Sequence, residues 1–156
     1  MSDQKPRRIS FDAHLPYRYS AGPTASRFFA ELRDNKRIMA MRCSTCGKVH
    51  VPPRVVCGRC YRPLEEWLEV GPAGTLLGYT VVRYSFLDPL TGKERPVPYG
   101  YGFILLDGAD AFIQHFLDET DIDKLRVGLR VEAVFKRERL GNFADMEYFR
   151  VIKSKA

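Results

Sequence analysis

No apolar run in this sequence is long enough to cross a bilayer. Its more hydrophobic stretches, such as residues 76–82, fall far short of the ~20 residues that a membrane helix needs. Residues 1–9 are polar, carry Lys5, Arg7 and Arg8, and lead into no apolar core, so a secretory signal is not expected and a cytoplasmic location is. The sequence also lacks a Gly-x-Ser-x-Gly elbow, a Gly-x-x-x-x-Gly-Lys phosphate loop and a His-Glu-x-x-His pair. Serine-hydrolase, nucleotide-hydrolase and metalloprotease chemistry therefore have no motif to stand on. Histidine is scarce, and His14, His50 and His115 have no carboxylate and hydroxyl arrangement suited to acid–base work, so structural roles are expected. Gly100 and Gly102 are too few for a dinucleotide fingerprint and are expected to bend a strand. The acidic residues Asp118, Glu119, Asp121 and Asp123 fit a solvated loop capping a short helix better than a cation site.

Cysteine is absent everywhere except one 18-residue window, where Cys43-Ser-Thr-Cys46-Gly and Cys57-Gly-Arg-Cys60 form two Cys-x-x-Cys pairs. In a reducing compartment such pairs bind metal or do redox chemistry more often than they staple a fold. Each pair suits a knuckle in which two thiolates grip one ion, and Gly47 supplies permissive backbone just past the second ligand. Two knuckles make a closed tetrahedral site at Cys43, Cys46, Cys57 and Cys60. Such a site stabilises a ribbon and leaves no vacancy for substrate. Tetrahedral sulfur suits zinc and iron alike, and structural zinc is the expectation. His50 lies close to the first knuckle, yet four cysteines already fill the shell. With every thiol committed to metal, none remains as a nucleophile.

The formal charge of +6 becomes about +4 once four thiolates and one divalent cation are counted. This mild excess is compatible with an anionic partner, though a solvated basic surface explains it equally simply. Arg42, Lys48, Arg59 and Arg62 flank the cysteines and offset the excess negative charge of the site.

The pattern along the chain divides it into four parts. Residues 1–22 show no sustained period and read as an extended arm. Residues 23–38 read as a helix, with Ser26 ahead of an apolar stripe at Phe28, Phe29, Leu32 and Ile38 and with Asn35 as a stop. Residues 39–70 hold the metal ribbon, with Pro52-Pro53 stiffening the excursion between the pairs. After the turn signal Gly71-Pro72-Ala73-Gly74, residues 71–156 carry five β-rich stretches at 75–84, 100–106, 111–116, 130–136 and 146–152. Polar turns lie at 88–92, hairpins at Asp107-Gly108 and Gly141-Asn142, and one helical turn at 121–125. Five strands with a short helix between the third and fourth match the oligonucleotide/oligosaccharide-binding (OB) barrel, a pattern shared by other small Greek-key barrels. The expected class is mainly β: an N-terminal helix and ribbon followed by a five-stranded barrel.

The order of a helix, Arg42-Cys43-x-x-Cys46-Gly47, Pro52-Pro53-Arg54, Cys57-x-x-Cys60, Glu66-Trp67, Gly71-x-x-Gly74-Thr75, Pro98-Tyr99 and Val127-Gly128 before Val131 resembles the DUF35 family, from about Phe28 to the end. That resemblance implies a rubredoxin-like zinc ribbon joined to an OB-fold. It also implies acyl-coenzyme A metabolism, in which members serve as small accessory subunits of thiolases or thiolase-like condensing enzymes, some acting on bulky steroid or aromatic acyl-CoA. The role implied is completing the CoA channel of a catalytic partner. On that reading Arg54, Arg59 and Arg62 are candidates to meet CoA phosphates, and Tyr99 and Tyr101 to stack on adenine or line an acyl channel. The stripe at Phe28, Phe29 and Leu32 is the candidate partner contact. The rival expectation is a nucleic-acid-binding OB module, against which the modest corrected charge counts.

Overall fold

In the computed structural model, residues 20–88 and 92–152 are described; most of the expected arm lies outside them. Helix α1, Gly22–Asn35, begins with Pro23 in its first turn, where a missing N–H costs nothing, and ends where Lys36 turns left-handed (φ 55°) and returns its N–H to Glu31 O. Ser26, expected at the start, is therefore inside the helix. Ile38, expected at the end of the helix, instead opens strand β1.

β1 (Ile38–Arg42) is the centre of a three-stranded antiparallel sheet, between β2 (Val49–His50) and β3 (Glu66–Val70). Residues Ile38, Met39, Ala40 and Met41 are all buried, because both faces of this strand are covered. An apolar run of that kind extends the stripe of the preceding helix in sequence, which explains the misplaced boundary.

Phe28 and Leu32 correct another expectation. Phe28 is 2% exposed and Leu32 fully buried, so neither presents a surface to a partner. The helix lays this stripe on its own chain: Phe28 and Phe29 pack on Phe143 with ring centroids 5.6 and 5.8 Å away. Phe29 is half-buried in the same cluster. An amphipathic stripe must be covered, and here residues more than a hundred positions downstream cover it.

The barrel begins at β4 (Ala73–Val82). The short strands β5 (Leu87–Asp88) and β6 (Lys93–Glu94) form a two-stranded excursion, followed by β7 (Tyr99–Leu106), β8 (Phe112–Leu117), β9 (Arg130–Phe135) and β10 (Met146–Val151). The order β10-β8-β7-β4-β9 closes on itself, as expected of an OB-fold. A 3₁₀ turn, Ile122–Lys124, stands between β8 and β9, capped by the Asp121 side chain. Where a plain hairpin was expected at Gly141-Asn142, a second 3₁₀ turn, Phe143–Asp145, forms with an Asn142/Asp145 capping box. The buried carboxylate of Asp145 also accepts the N–H groups of Leu140 and Gly141, at 2.8 and 2.7 Å.

Along β7 the side chains alternate. Gly100, Gly102, Ile104 and Leu106 face inward, while Tyr99, Tyr101 and Phe103 face outward. The two glycines permit close approach: a Cβ at Gly100 would lie 2.3 Å from Glu119 O, and one at Gly102 2.6 Å from Leu76 Cδ1. One hydrophobic core runs from Phe28 and Leu32 through Ile38 and Val70 into Leu76, Ile104 and Phe149, so helix, ribbon sheet and barrel share an interior. A smaller cluster of Met41, Cys43, Cys57 and Leu64 lies beneath the knuckles. Among the described residues no helix is long and apolar enough to cross a membrane.

Candidate metal centre and barrel groove

Two chain segments of matching shape build the metal centre. In the first, the Cys43 N–H bonds Lys48 O at 2.9 Å and the Gly47 N–H bonds Cys43 O at 2.8 Å. In the second, the Cys57 N–H bonds Arg62 O at 2.8 Å and the Tyr61 N–H bonds Cys57 O at 3.0 Å. Each knuckle turns backbone N–H groups towards its own sulfurs. The four Sγ atoms lie within 4.8 Å of one another, with Cys43–Cys60 at 3.5 Å and Cys46–Cys57 at 3.7 Å. These separations are far beyond a disulfide bond of ~2.05 Å and close to the ~3.8 Å edge of a tetrahedron with 2.3 Å zinc–sulfur bonds.

The electrostatics show why a cation belongs there. The backbone N–H of Cys46 holds the Cys43 thiol down to about 6. The N–H groups of Cys60 and Arg59, helped by His50, hold Cys57 at about 7. Against the pull of the Arg62 N–H, which favours its thiolate, Cys60 is pushed up to about 12 by hydrogen bonding with Cys43 and by burial. The Lys48 N–H likewise favours the Cys46 thiolate, but burial and the Cys43 and Cys57 sulfurs raise that thiol overall. Four thiolates in so small a volume repel one another unless a divalent ion stands among them, and this donor set suits zinc.

His50, for which the sequence implies a structural role, is 8% exposed and hydrogen-bonds Cys57 Sγ through Nε2 at 3.3 Å. It orients a ligand rather than replacing one. The basic residues expected to meet phosphates lie on the ribbon: Arg54, Arg59 and Arg62 are exposed, and an Arg54 guanidinium nitrogen comes 3.1 Å from where a Cβ on Gly58 would stand.

Tyr99 and Tyr101 are elsewhere, on the outer face of the barrel, and they line a groove of about 1020 Å³. None of the three arginines lines it, so the expected basic and aromatic groups are not brought together. The cations at the groove are Arg95 and Lys136. Arg95 Cζ stands 4.2 Å over the Phe116 ring and 5.7 Å over Tyr99. The Phe116 ring meets Tyr99 and Tyr101 edge-on, at 5.6 and 5.2 Å. On the inner side of the groove His115 is 6% exposed. Its Nε2 lies 3.4 Å from Phe143 O, its Nδ1 has no hydrogen-bond partner among the described residues, and burial holds the imidazole below its ordinary range. The alternation Phe112-x-Gln114-x-Phe116 was the available sequence signal for this surface. Arg95, in a polar loop, had none.

The acidic residues near 118–123 cap backbone, as expected. Asp118 accepts from the Val151 N–H, Glu119 from Thr120 and Asp121, and Asp121 from Asp123 while pairing with Lys124 at 3.1 Å. His14 lies outside the described residues.

Comparison with known proteins agrees with both parts of the architecture. Residues 30–65 match the rubredoxin-like zinc ribbon domain of ChsH2, and residues 67–136 match the ChsH2 C-terminal OB-fold domain. A DUF35 domain-containing scaffold protein of Methanocaldococcus jannaschii is 29% identical over 112 residues, 71% of this chain and 76% of that one. A protein so described from Methanothermobacter thermautotrophicus is 26% identical over 128 residues, covering 81% and 79%. Among solved structures, the Ltp2-ChsH2(DUF35) aldolase has a chain that superimposes with a TM-score of 0.58 at 20% identity, over 85% of this chain and 98% of that one. A DUF35 protein of unknown function from Sulfolobus solfataricus gives 0.57 at 21%, over 84% and 83%.

Proposed function

Since this chain belongs to the DUF35 family and carries its zinc ribbon and OB-fold, we propose that it is a non-catalytic accessory subunit of a thiolase or thiolase-like condensing enzyme, acting on acyl-CoA and helping to form the CoA channel. The observation that carries this reading is the convergence of all four thiols on one metal site. Carbon–carbon bond chemistry that runs through a reactive cysteine must then take that cysteine from a second chain. The scaffold description of the two archaeal relatives supports a supporting role. The aldolase assembly among the structural neighbours widens the candidate partners to enzymes that make or break a carbon–carbon bond by either route.

On this reading the groove is one wall of the channel. Tyr99 and Tyr101 offer flat apolar faces to an adenine or a bulky aromatic or steroid-type acyl group, and Arg95, over the Phe116 ring, offers charge to phosphates. Arg54, Arg59 and Arg62 serve as further phosphate contacts on the ribbon. The setting is cytoplasmic. The test is purification of the tagged chain from its native extract, followed by thiolysis and retro-aldol assays on the complex. A co-purifying condensing enzyme or aldolase supports the reading; a chain that purifies alone sinks it.

A second reading has one observation in its favour. An aromatic outer face with an arginine over it is also how OB-folds stack the bases of single strands. Binding of single-stranded DNA that weakens steeply with salt would favour this reading, and absence of such binding would remove it.

A further inference from the structure

The barrel closes through a single bridge on one side. β8 pairs with β7 along its whole length, from Phe112↔Leu105 to Leu117↔Gly100. Its other edge meets β10 only at Leu117↔Phe149, where the Asp118 N–H bonds Phe149 O at 3.0 Å. In a strand, alternate residues turn their N–H and C=O to opposite edges. The Asp118 N–H points at β10, so those of Phe112, Gln114 and Phe116 point to the same side. Among the described residues, no backbone hydrogen bond joins residues 112–115 to β10 or to the 136–145 connection. The groove opens along this edge, with Met146 and Glu147 of β10 and Ala144 on its far bank. The edge is thus unpaired, concave and bordered by the aromatic rings of Phe112 and Phe116.

An unpaired strand edge is a template for another strand, and natural proteins cover, charge or use such edges. Two features indicate what would fit this one. The wall is mainly apolar, which suits side chains alternating along an extended chain. Lys136, which lines the groove, has no acidic partner among the described residues. Complementarity calls for a carboxylate on the incoming chain.

We propose that the seam between β8 and β10 takes up an extended, apolar and acidic segment of the catalytic partner, which pairs with Phe112, Gln114 and Phe116 as an added strand. This rests on the accessory reading above, because the occupant is a segment of that partner. It assigns the contact to the barrel seam in place of the α1 stripe, which the chain's own core consumes.

Hydrogen exchange on the full chain, free and in its purified assembly, tests the contact. The amides of Phe112, Gln114 and Phe116 slow at least 10-fold on assembly, whereas those of Ile113 and His115, already in the β7 ladder, change little. Gln114→Pro deletes one seam-side N–H without removing a β7–β8 bond, and Pro is tolerated on such an edge. It weakens assembly at least 10-fold, and Gln114→Ala, which keeps the N–H, changes it less than twofold. Should Gln114→Pro fail to fold, Lys136→Glu serves instead, with an expected loss of about 5-fold. Unchanged exchange at the three amides within an intact assembly overturns the seam contact and leaves the accessory reading standing. Slowing by a single-stranded oligonucleotide and not by the partner also overturns it. A chain that forms no assembly overturns both.

Discussion

Tyr61 stands in the second knuckle where Gly47 stands in the first: each is four residues past its leading cysteine, each donates its N–H to that cysteine's carbonyl, and each has a positive φ, 57° and 73°. The left-handed region is ordinary for glycine and strained for tyrosine, by roughly 1 kcal/mol or more. Tyr61 is 80% exposed, so no packing compensates.

The two knuckles should therefore respond in opposite directions. Tyr61→Gly is expected to stabilise the zinc-loaded chain by up to about 1 kcal/mol, and Gly47→Ala to destabilise it by about 1 kcal/mol. For a chain of this size each corresponds to a Tm change of about 2–4 °C in a thermal melt. A drop on Tyr61→Gly would mean that the tyrosine ring has a role that its exposure does not reveal.

Metal uptake should release protons in a number set by the thiols. In the metal-free chain at pH 7, Cys60, near 12, and the raised Cys46 are protonated, Cys43, near 6, is mostly thiolate, and Cys57, near 7, is divided. Zinc binds thiolates, so between about two and three protons leave per ion and affinity falls as pH falls. Calorimetry in buffers of different ionisation heat counts these protons. A count of zero would show that the ion does not take all four sulfurs. Cys57→Ser removes one ligand and should lower zinc content and unfold the ribbon, read by metal analysis and circular dichroism.

The α1 stripe makes a prediction that separates core from interface. Phe28→Ala opens a cavity among Phe29, Phe143 and β1 and should cost about 3–5 kcal/mol of stability. Chemical denaturation of the chain alone reads this. A variant with unchanged stability and weakened association would restore the stripe as a partner contact.

Much of this molecule was legible before its fold, for reasons that differ by residue. The cysteines were readable because metal geometry restricts spacing to a few patterns, and the five barrel strands because a half-buried strand writes an alternation of its own. Helix α1 was placed three residues too far because Ile38 and the buried run after it continue an apolar stripe while belonging to a strand. The covering of Phe28 by Phe143 was not readable, since a periodic stripe shows that a face is buried and not what buries it. Gly100 and Gly102 were expected to bend β7, but in the fold they admit Glu119 O and Leu76, contacts between distant segments. The seam along β8 is a property of pairing, so no single segment encodes it.

The most direct measurement is turnover against composition. The partner enzyme at fixed concentration is titrated with the zinc-loaded chain, and carbon–carbon bond cleavage of an acyl-CoA substrate is followed. The expected result is a rate that rises with added chain and saturates at a fixed ratio, with no turnover by the chain alone. Turnover by the isolated chain, or a partner whose rate and stability ignore the added chain, would contradict the accessory role.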